Sequence, residues 1–292
     1  MTLTGLYVPL ITPFDDSGAV ALHALEALAH QVLDAGAAGV VALGTTGEAA
    51  AVSEAERGEV VDVVASVCRE RAAHLVVGAD TVQALRALRD RPEVSAALCV
   101  VPPFVRPGEA GVLAHFAHLA QVSPVPLVAY HVAYRTGQEL SADALRRLAE
   151  LPGVVGIKYA VGGIDADTIA FLAAAPPGFA VLGGDDLFIS PLLALGAHGG
   201  ILASAHVATA EFVRLLELWR AGDLVAARSL GRGLAALSAA LFAEPNPSVI
   251  KAVLYAQGRI PSPAVRLPLL PATPETTHAA LRHVDDLAGV PG

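Results

Sequence analysis

The stretch VVGIK, at Val154–Lys158, is a short apolar run that ends in a lysine. A continuous apolar run of this length, bounded by Gly153 and Gly162, predicts a strand buried on both faces, as in a parallel sheet. Burial of an ammonium group without a partner is costly, so a lysine placed there tends to lose its proton and become a nucleophile. A lysine whose charged end extends into water at the strand end is an equally good interpretation of this stretch alone.

Strand-like and helix-like segments alternate along most of the chain on either side of this run. Apolar runs predict strands at residues 6–12, 40–43, 75–77, 98–101, 127–130, 154–158, 180–182 and 200–203. Helical spacing predicts helices at 22–33, near 81–90, 109–121, 141–150, 164–174 and 186–195, from Ala208, and from Ser53, where Glu56 completes a capping-box pattern. About eight strand–helix units with unbroken apolar strands predict an α/β fold, the (β/α)8 TIM barrel.

The chain after residue 222 carries helical patterns only, near 224–243, 247–257 and 275–288. We therefore predict a barrel domain at residues 1–222 and a C-terminal helical extension at 223–292 that packs on it. An open doubly wound sheet is the rival architecture, but it should carry a glycine-rich fingerprint after the first strand. The segment TPFD at Thr12–Asp15 occupies that position instead.

The composition favours a large core and disfavours several classes of function. The chain has 292 residues, of which 54% are hydrophobic and 16% charged, and its net charge is -9. Nucleic-acid binding is not expected, because no run of Lys and Arg forms a basic patch. No apolar stretch reaches the roughly 18 residues of a membrane helix, and no signal peptide is expected. Cys68 and Cys99 have no metal or redox spacing, so both are predicted to be reduced core residues of a cytoplasmic protein.

Polar groups follow several of the predicted strands, and TIM barrels build their active sites at the C-terminal ends of strands. GTTGE at Gly44–Glu48 follows the second strand and could hold a carboxylate through its N–H groups and hydroxyls, although a plain turn has the same composition. Tyr130 ends the fifth strand and could carry protons or simply pack. Arg135 could grip a carboxylate in a bidentate way or be a solvated loop charge.

Lysine is rare in this chain, which makes each one informative. Lys158 and Lys251 are the only lysines, and the other basic residues among the 19 are arginines. Lys251 lies in a helical pattern, where a structural role is expected. The histidine, cysteine and acidic residues show no metal-ligand spacing, so we expect no metal cofactor.

The combination of these motifs resembles the dihydrodipicolinate synthase/N-acetylneuraminate lyase family. The core of the resemblance is GTTGE at Gly44–Glu48, Tyr130 followed by RTG at Arg135–Gly137, and GIK at Gly156–Lys158. It extends over essentially the whole chain through TPF at Thr12–Phe14, GGDD at Gly183–Asp186, EPNP at Glu244–Pro247 with Lys251, and RLPL at Arg266–Leu269. The Arg-Thr-Gly form favours the synthase branch of the family.

The resemblance implies a pyruvate-dependent class I lyase or aldolase, usually a homotetramer, with a homodimer as the other expectation. Lys158 would form a Schiff base with pyruvate, so no cofactor beyond this covalent imine is expected. Tyr130 would carry protons in a hydroxyl relay with Thr45. The substrate-binding residues that it implies are Thr45 and Thr46 for the pyruvate carboxylate, Arg135 for the carboxylate of aspartate semialdehyde, Gly184, and Ile201 through its carbonyl.

Several positions depart from the family pattern. Synthases of the family typically carry two tyrosines after the fourth strand, and the second completes the proton relay across a subunit interface. Here the corresponding segment is Val101–Pro107. Phe104 stands where that hydroxyl would be, and phenylalanine cannot relay a proton. His131 replaces the usual asparagine. Glu54, Arg57 and Pro103 replace histidines and a tyrosine that are common in members inhibited by lysine, which predicts weak or absent lysine inhibition.

The expected function is condensation of pyruvate with an aldehyde, nominally aspartate semialdehyde in lysine and diaminopimelate biosynthesis. The Phe104 substitution keeps two alternatives open. One is an aldolase or dehydratase that acts on another 2-keto acid, such as N-acetylneuraminate or a deoxy sugar acid. The other is a relative that binds keto acids without turnover, which the retention of Lys158, Tyr130 and Thr45 disfavours. A phosphate-binding barrel is disfavoured, because no glycine-rich loop with basic neighbours follows the seventh or eighth strand.

Overall fold

The computed structural model describes residues 3–288, and its central feature is a closed barrel of eight parallel strands. Neighbouring strands in the barrel are also neighbours in the chain, so the predicted (β/α)8 barrel is confirmed. The strands are β1 Gly5–Pro9, β2 Gly39–Ala42, β3 His74–Gly78, β4 Val94–Val100, β5 Leu127–His131, β6 Val154–Tyr159, β7 Ala180–Gly183 and β8 Gly199–Ile201.

Helices connect the strands and follow the last one. They are α1 Leu22–Asp34, α2 Glu54–Arg71, α3 Val82–Arg86, α4 Gly108–Val122, α5 Ala133–Thr136, α6 Ala142–Ala149, α7 Ala166–Ala174, α8 Ile189–Ala194, α9 Thr209–Ala221, α10 Leu224–Leu241, α11 Ser248–Ala256 and α12 Pro274–Ala288. The predicted capping box of α2 is present, because the Ser53 hydroxyl accepts from the Glu56 N–H while the Glu56 carboxylate accepts from the Ser53 N–H. Such caps satisfy N–H groups that a helix start leaves unpaired.

The strands are buried along their length, as continuous apolar runs should be in a parallel sheet. Every residue of β2 and β5 is buried. Three predicted strand bounds are wrong by two to four residues. β1 ends at Pro9, β4 begins at Val94, and β8 ends at Ile201, because a 3-10 helix at Ala203–His206 follows it. Buried apolar turns beside a strand have the same composition as the strand itself, so periodicity does not separate them.

The chain divides into two compact units. The first unit consists of Val76–Ile201 with the N-terminal segment through Gly5, and the second of Leu6–Leu75 with the residues from Leu202 onward. The boundary proposed from the sequence after residue 222 lies at a helix end, since α9 stops at Ala221 and Gly222 caps it with φ 78. We retain the helical extension at 223–292 as a proposal.

One helix in the described part of the chain, α10, is long and apolar enough by length and composition to cross a membrane. It contains Arg228 and Arg232, so it is not an unbroken apolar stretch of the kind considered in the sequence. Core helices of globular proteins meet the same criterion, and α10 packs against α9 and α12 within the second unit.

Candidate active site

Lys158 lies near the C-terminal end of β6, where its amine faces the ring of Tyr130. The two residues are paired in register across β5 and β6. The Lys158 Nζ lies 4.4 Å from the centroid of the Tyr130 ring, which is within the range of a cation–π contact. Lys158 is 6% exposed. The lysine is therefore buried at the strand end rather than extended into water.

Burial lowers the pKa of the Lys158 amine from 10.5 to about 8, because desolvation disfavours the ammonium form. The carboxylates of Asp186 and Asp185 oppose this shift, and the Arg135 guanidinium adds to it. At pH 7 a pKa of about 8 leaves roughly a tenth of the amine neutral, about 300 times the fraction that an amine with a pKa of 10.5 would have. Lys158 thus has an environment that produces a nucleophile near neutral pH.

Gly184, which follows β7, allows the backbone to lie directly against the Lys158 side chain. A Cβ atom at Gly184 would lie 2.7 Å from Lys158 Cγ and 2.8 Å from Lys158 Cε. Any larger residue would therefore displace the lysine. The structure places Gly184 beside the stem of the lysine, while its predicted contact with substrate stays a prediction.

Asp185 has two hydrogen bonds that hold its carboxylate in this part of the first unit. Its Oδ2 accepts from the Gly162 N–H at 2.6 Å, and its Oδ1 accepts from the Tyr134 hydroxyl at 3.3 Å. Burial raises the pKa of Asp185, while these two bonds and the charges of Lys158 and Arg135 lower it. No role was predicted from the sequence for Asp185 or Tyr134, although Asp185 lies in the GGDD pattern.

Arg135 lies in the one-turn helix α5, which begins two residues after β5. Its side chain is exposed, and its Cζ lies 5.9 Å from the centroid of the Tyr134 ring. The turn ends at Gly137, which has φ 70, and the Arg106 side chain lies against that glycine. A Cβ atom at Gly137 would lie 2.7 Å from Arg106 Nε. Two guanidinium groups therefore lie close to this turn, and each can bind a carboxylate.

Phe104 projects from the loop after β4 and is 95% exposed. Its φ of 69 lies in the left-handed region, as does the φ of 48 at Arg106. Both values are unusual for residues other than glycine and are characteristic of functional loops. The Phe104 N–H donates to the Thr136 carbonyl at 3.2 Å, which ties this loop to the turn that carries Arg135. The loop therefore presents an apolar ring to solvent at the position where the resemblance implied a relay hydroxyl.

His131 and Tyr159, the last residues of β5 and β6, are buried behind this site. The Tyr159 hydroxyl is hydrogen bonded to the Thr168 hydroxyl at 3.0 Å. Burial lowers the pKa of His131 to about 4, so its imidazole is neutral at physiological pH. The departure from asparagine at position 131 thus adds no positive charge.

Thr45 and Thr46 belong to the second unit, where they form a 3-10 turn at Thr45–Gly47 directly after β2. The Thr45 side chain is exposed, whereas Thr46 is buried and its hydroxyl accepts from the Asn246 amide at 2.9 Å. Glycine at position 47 lets the turn pack closely on Leu10, because a Cβ atom there would lie 3.0 Å from the Leu10 carbonyl oxygen. The hydroxyl relay between Thr45 and Tyr130 stays a prediction.

Two further expectations concern Ile201 and metals. Ile201 is the last residue of β8 and is buried, while the role of its carbonyl in lining the site stays a prediction. Within residues 3–288, no group of three or more His, Cys, Asp and Glu side chains is arranged to hold a metal ion.

Lys251 has the structural position expected for it, in a buried turn of α11. Its Nζ forms an ion pair with Glu48 at 2.5 Å, and the side chains of both residues are almost fully buried, at 0% and 1% exposure. Burial lowers the pKa of Lys251 to about 8, while the Glu48 carboxylate opposes the shift. The sequence identified Glu48 only as part of the GTTGE motif and did not reveal its partner.

A (β/α)8 barrel with a buried lysine at the end of its sixth strand defines a class of proteins rather than one activity. Comparison with known proteins narrows this class. Residues 2–286 match the Dihydrodipicolinate synthetase family. The chain therefore belongs to this family, which confirms the resemblance found in the sequence.

Three relatives illustrate the match. The 4-hydroxy-tetrahydrodipicolinate synthase 2 of Clostridium acetobutylicum is 35% identical over 93% of this chain and 96% of the relative. The crystal structure of dihydrodipicolinate synthase from Thermotoga maritima has a TM-score of 0.93 at 29% identity and covers 99% of both chains. The chloride-inhibited dihydrodipicolinate synthase of Acinetobacter baumannii, complexed with pyruvate, has a TM-score of 0.92 at 31% identity and covers 99% of this chain and 100% of that one.

Proposed function

We propose that this chain is a 4-hydroxy-tetrahydrodipicolinate synthase that joins pyruvate to aspartate semialdehyde through a Schiff base on Lys158. The observation that carries the proposal is the Lys158 amine, which is buried at a strand end beside Tyr130 and has its pKa lowered to about 8. The family match and the relatives named synthases support the same reaction.

In the proposed chemistry, a protonated imine on Lys158 is the electron sink. The neutral Nζ attacks C2 of pyruvate, and the resulting carbinolamine takes up a proton and loses water, which leaves a protonated imine. This cation draws electrons from C3, so the methyl group loses a proton and becomes an enamine. The enamine carbon attacks the aldehyde and forms the new carbon–carbon bond. Displacement of Nζ by water or by an amine of the acceptor then releases the product.

The remaining predicted residues would serve this reaction in distinct ways. Tyr130 would move protons during imine formation, with Thr45 as its partner in the relay. The hydroxyls and N–H groups of Thr45 and Thr46 would hold the carboxylate of pyruvate. The Ile201 carbonyl would line the site, and Gly184 would leave room beside the imine.

The partners that we propose are pyruvate and a small aldehyde, with a homotetramer or homodimer as the working form in the cytoplasm. Phe104 and Val105 are adjacent and largely exposed, and a second copy packed against this loop would bury both side chains. The free, buried thiols of Cys68 and Cys99 fit a reducing compartment.

A different acceptor is the second candidate, and Phe104 is the observation that favours it. A relay that lacks one hydroxyl is expected to handle its usual aldehyde poorly. Incubation of the protein with pyruvate and a panel of aldehydes, followed by mass measurement of the products, distinguishes the candidates. Product from aspartate semialdehyde supports the synthase, product only from another aldehyde supports an aldolase, and an imine with no product from any aldehyde supports a binding protein.

Replacing Arg135 with alanine should selectively weaken the binding of the acceptor aldehyde. A charge-assisted contact contributes about 1.5–3 kcal/mol, so the KM for the aldehyde should rise roughly 10- to 150-fold. Borohydride trapping of pyruvate should change little. The control is Arg89→Ala, which removes an exposed charge of the same sign elsewhere in the first unit. Equal losses in both half-reactions would show that Arg135 is structural or binds pyruvate.

The rate of imine formation should depend on the pKa of Lys158. Only the neutral amine reacts, so the rate of pyruvate trapping should rise with pH and reach its half-maximum near pH 8. Asp185→Asn removes a carboxylate that raises this pKa, so the half-maximum should move to lower pH. Asp90→Asn, at an exposed site, is the control. An unchanged profile in the Asp185 variant would contradict the electrostatic coupling.

Lysine should inhibit the enzyme weakly or not at all. A bound lysine needs partners for both its ammonium and its carboxylate. Arg57 is already engaged, since its guanidinium donates to the carbonyls of Ala49 and Val52 at 2.5 and 3.1 Å. Pro103 offers no hydroxyl. Titration calorimetry that shows tight lysine binding together with inhibition of turnover would refute this expectation.

A further inference from the structure

The turn that carries Thr45 and Thr46 is bounded by two residues in the left-handed region. Leu43 has φ 56 and Glu48 has φ 52. Such conformations are costly for residues with a Cβ atom, and they persist only where the surrounding structure enforces them. The interactions of Glu48 show what enforces the conformation at the C-terminal end of the turn.

Glu48 is held by both oxygens of its carboxylate. Oε1 forms the buried ion pair with Lys251 Nζ, and Oε2 accepts from the Arg266 N–H at 2.8 Å. The Lys251 amine also donates to the Ala264 carbonyl at 2.9 Å. The left-handed residue is thus fixed to α11 and to the segment at residues 264–266, all within the second unit.

The two cations of this cluster lie close to one aromatic ring. Lys251 Nζ lies 4.0 Å and Arg266 Cζ 4.3 Å from the centroid of the Phe14 ring. Arg266 also forms two hydrogen bonds with the Glu56 carboxylate, at 2.6 and 2.9 Å. The Glu48 carboxylate is therefore neutralised by contact with the Lys251 ammonium, while the Arg266 guanidinium is a second cation that pairs with Glu56.

Neutralisation matters because Glu48 directly follows the proposed carboxylate-binding turn. An uncompensated buried anion one residue from Gly47 would repel the carboxylate of pyruvate. The Asn246 amide donates a hydrogen bond to the Thr46 hydroxyl at 2.9 Å. Because the hydroxyl oxygen accepts this bond, its own proton is available for donation to an anion. Lys251 and Asn246, which lie outside the turn, therefore favour anion binding by the turn.

We propose that Glu48, paired with Lys251, is a positioning residue that sets the conformation and electrostatics of the Gly44–Gly47 turn for pyruvate. This inference rests on the proposed function, in which Thr45 and Thr46 hold the pyruvate carboxylate. Glu48 does not contact the substrate. Its effect passes through the hydrogen bonds of the turn, where the Gly47 and Glu48 N–H groups donate to the Gly44 and Thr45 carbonyls at 3.0 and 3.1 Å.

The test compares Glu48→Gln, Lys251→Met and the double variant with wild type, by borohydride trapping at increasing pyruvate concentration. Glu48→Gln should raise the half-saturating pyruvate concentration about 10-fold and leave the trapping rate at saturation nearly unchanged, as expected for a supporting residue. Lys251→Met should raise the half-saturating pyruvate concentration further, because it leaves a buried carboxylate unpaired. Adding Glu48→Gln to it should return the pyruvate requirement to that of Glu48→Gln alone.

Glu56→Gln is the matched control, since it perturbs the same cluster through Arg266 without contacting Glu48. Its melting temperature should fall, while its pyruvate requirement should stay close to that of wild type. A Glu48→Gln variant that melts earlier but binds pyruvate normally would overturn the positioning role.

Amide hydrogen exchange separates failure of this inference from failure of the proposed function. The Gly47 and Glu48 amides should exchange faster in Glu48→Gln than in Glu56→Gln, whether or not pyruvate reacts. Wild-type protein that forms no adduct on Lys158 would refute the proposed function, and exchange would then decide the positioning claim. Equal exchange rates of the Gly47 and Glu48 amides in the two variants would overturn the positioning role of Glu48.

Discussion

Replacement of Lys158 with alanine is expected to abolish imine formation and therefore all turnover. Its amine is the proposed nucleophile, and no other group on the barrel strands offers a neutral amine beside Tyr130. Treatment of wild-type protein with pyruvate and borohydride should add one reduced pyruvyl group, and peptide mapping should place it on Lys158. The Lys158→Ala variant should remain unlabelled while its circular dichroism spectrum stays that of wild type.

Lys251 provides an internal control for this experiment, because burial also lowers its pKa to about 8. A pKa near 8 is therefore not enough to predict which lysine reacts. The Lys251 amine is fully buried and is engaged by Glu48 and by the Ala264 carbonyl. Geometry consequently favours Lys158, and a pyruvyl label on Lys251 would contradict both the assignment and the proposed function.

The barrel could be predicted from the sequence because parallel strands are buried on both faces and appear as unbroken apolar runs. The run at Val154–Lys158 shows this well, since its composition predicted the strand, while the run alone left open whether the amine was buried or extended into water. The lowered pKa of Lys158 follows from the same burial. These properties depend on local composition, which a single sequence contains.

The contacts that shape the site could not be predicted, because they join residues far apart in the chain. Nothing in GTTGE indicates that Glu48 pairs with Lys251, although the scarcity of lysine marked Lys251 as a residue that needed an explanation. The bond between Tyr134 and Asp185 depends on the approach of loops after β5 and β7. Sequence patterns determine which strands form, while loop geometry determines which polar groups meet.

The Tyr130→Phe variant is expected to form the imine roughly 10²–10⁴-fold more slowly than wild type, the usual contribution of a general acid–base group. The substitution removes the hydroxyl but keeps the ring that lies 4.4 Å from Lys158 Nζ, so the surroundings of the amine should be preserved. Stopped-flow measurement of pyruvate consumption or quenched borohydride trapping would give the rate directly.

Tyr159→Phe is the matched control, because Tyr159 lies at the end of the neighbouring strand and the substitution removes the same hydroxyl group. Its hydroxyl bonds to Thr168 behind the site, so this variant should lose about 0.5–1.5 kcal/mol of stability and keep its rate. The contrast separates a proton carrier from a buried hydroxyl that only supports packing. If Tyr130→Phe kept a rate near that of wild type, another group would have to carry the proton, and Thr45→Val would then be the variant that should show the loss.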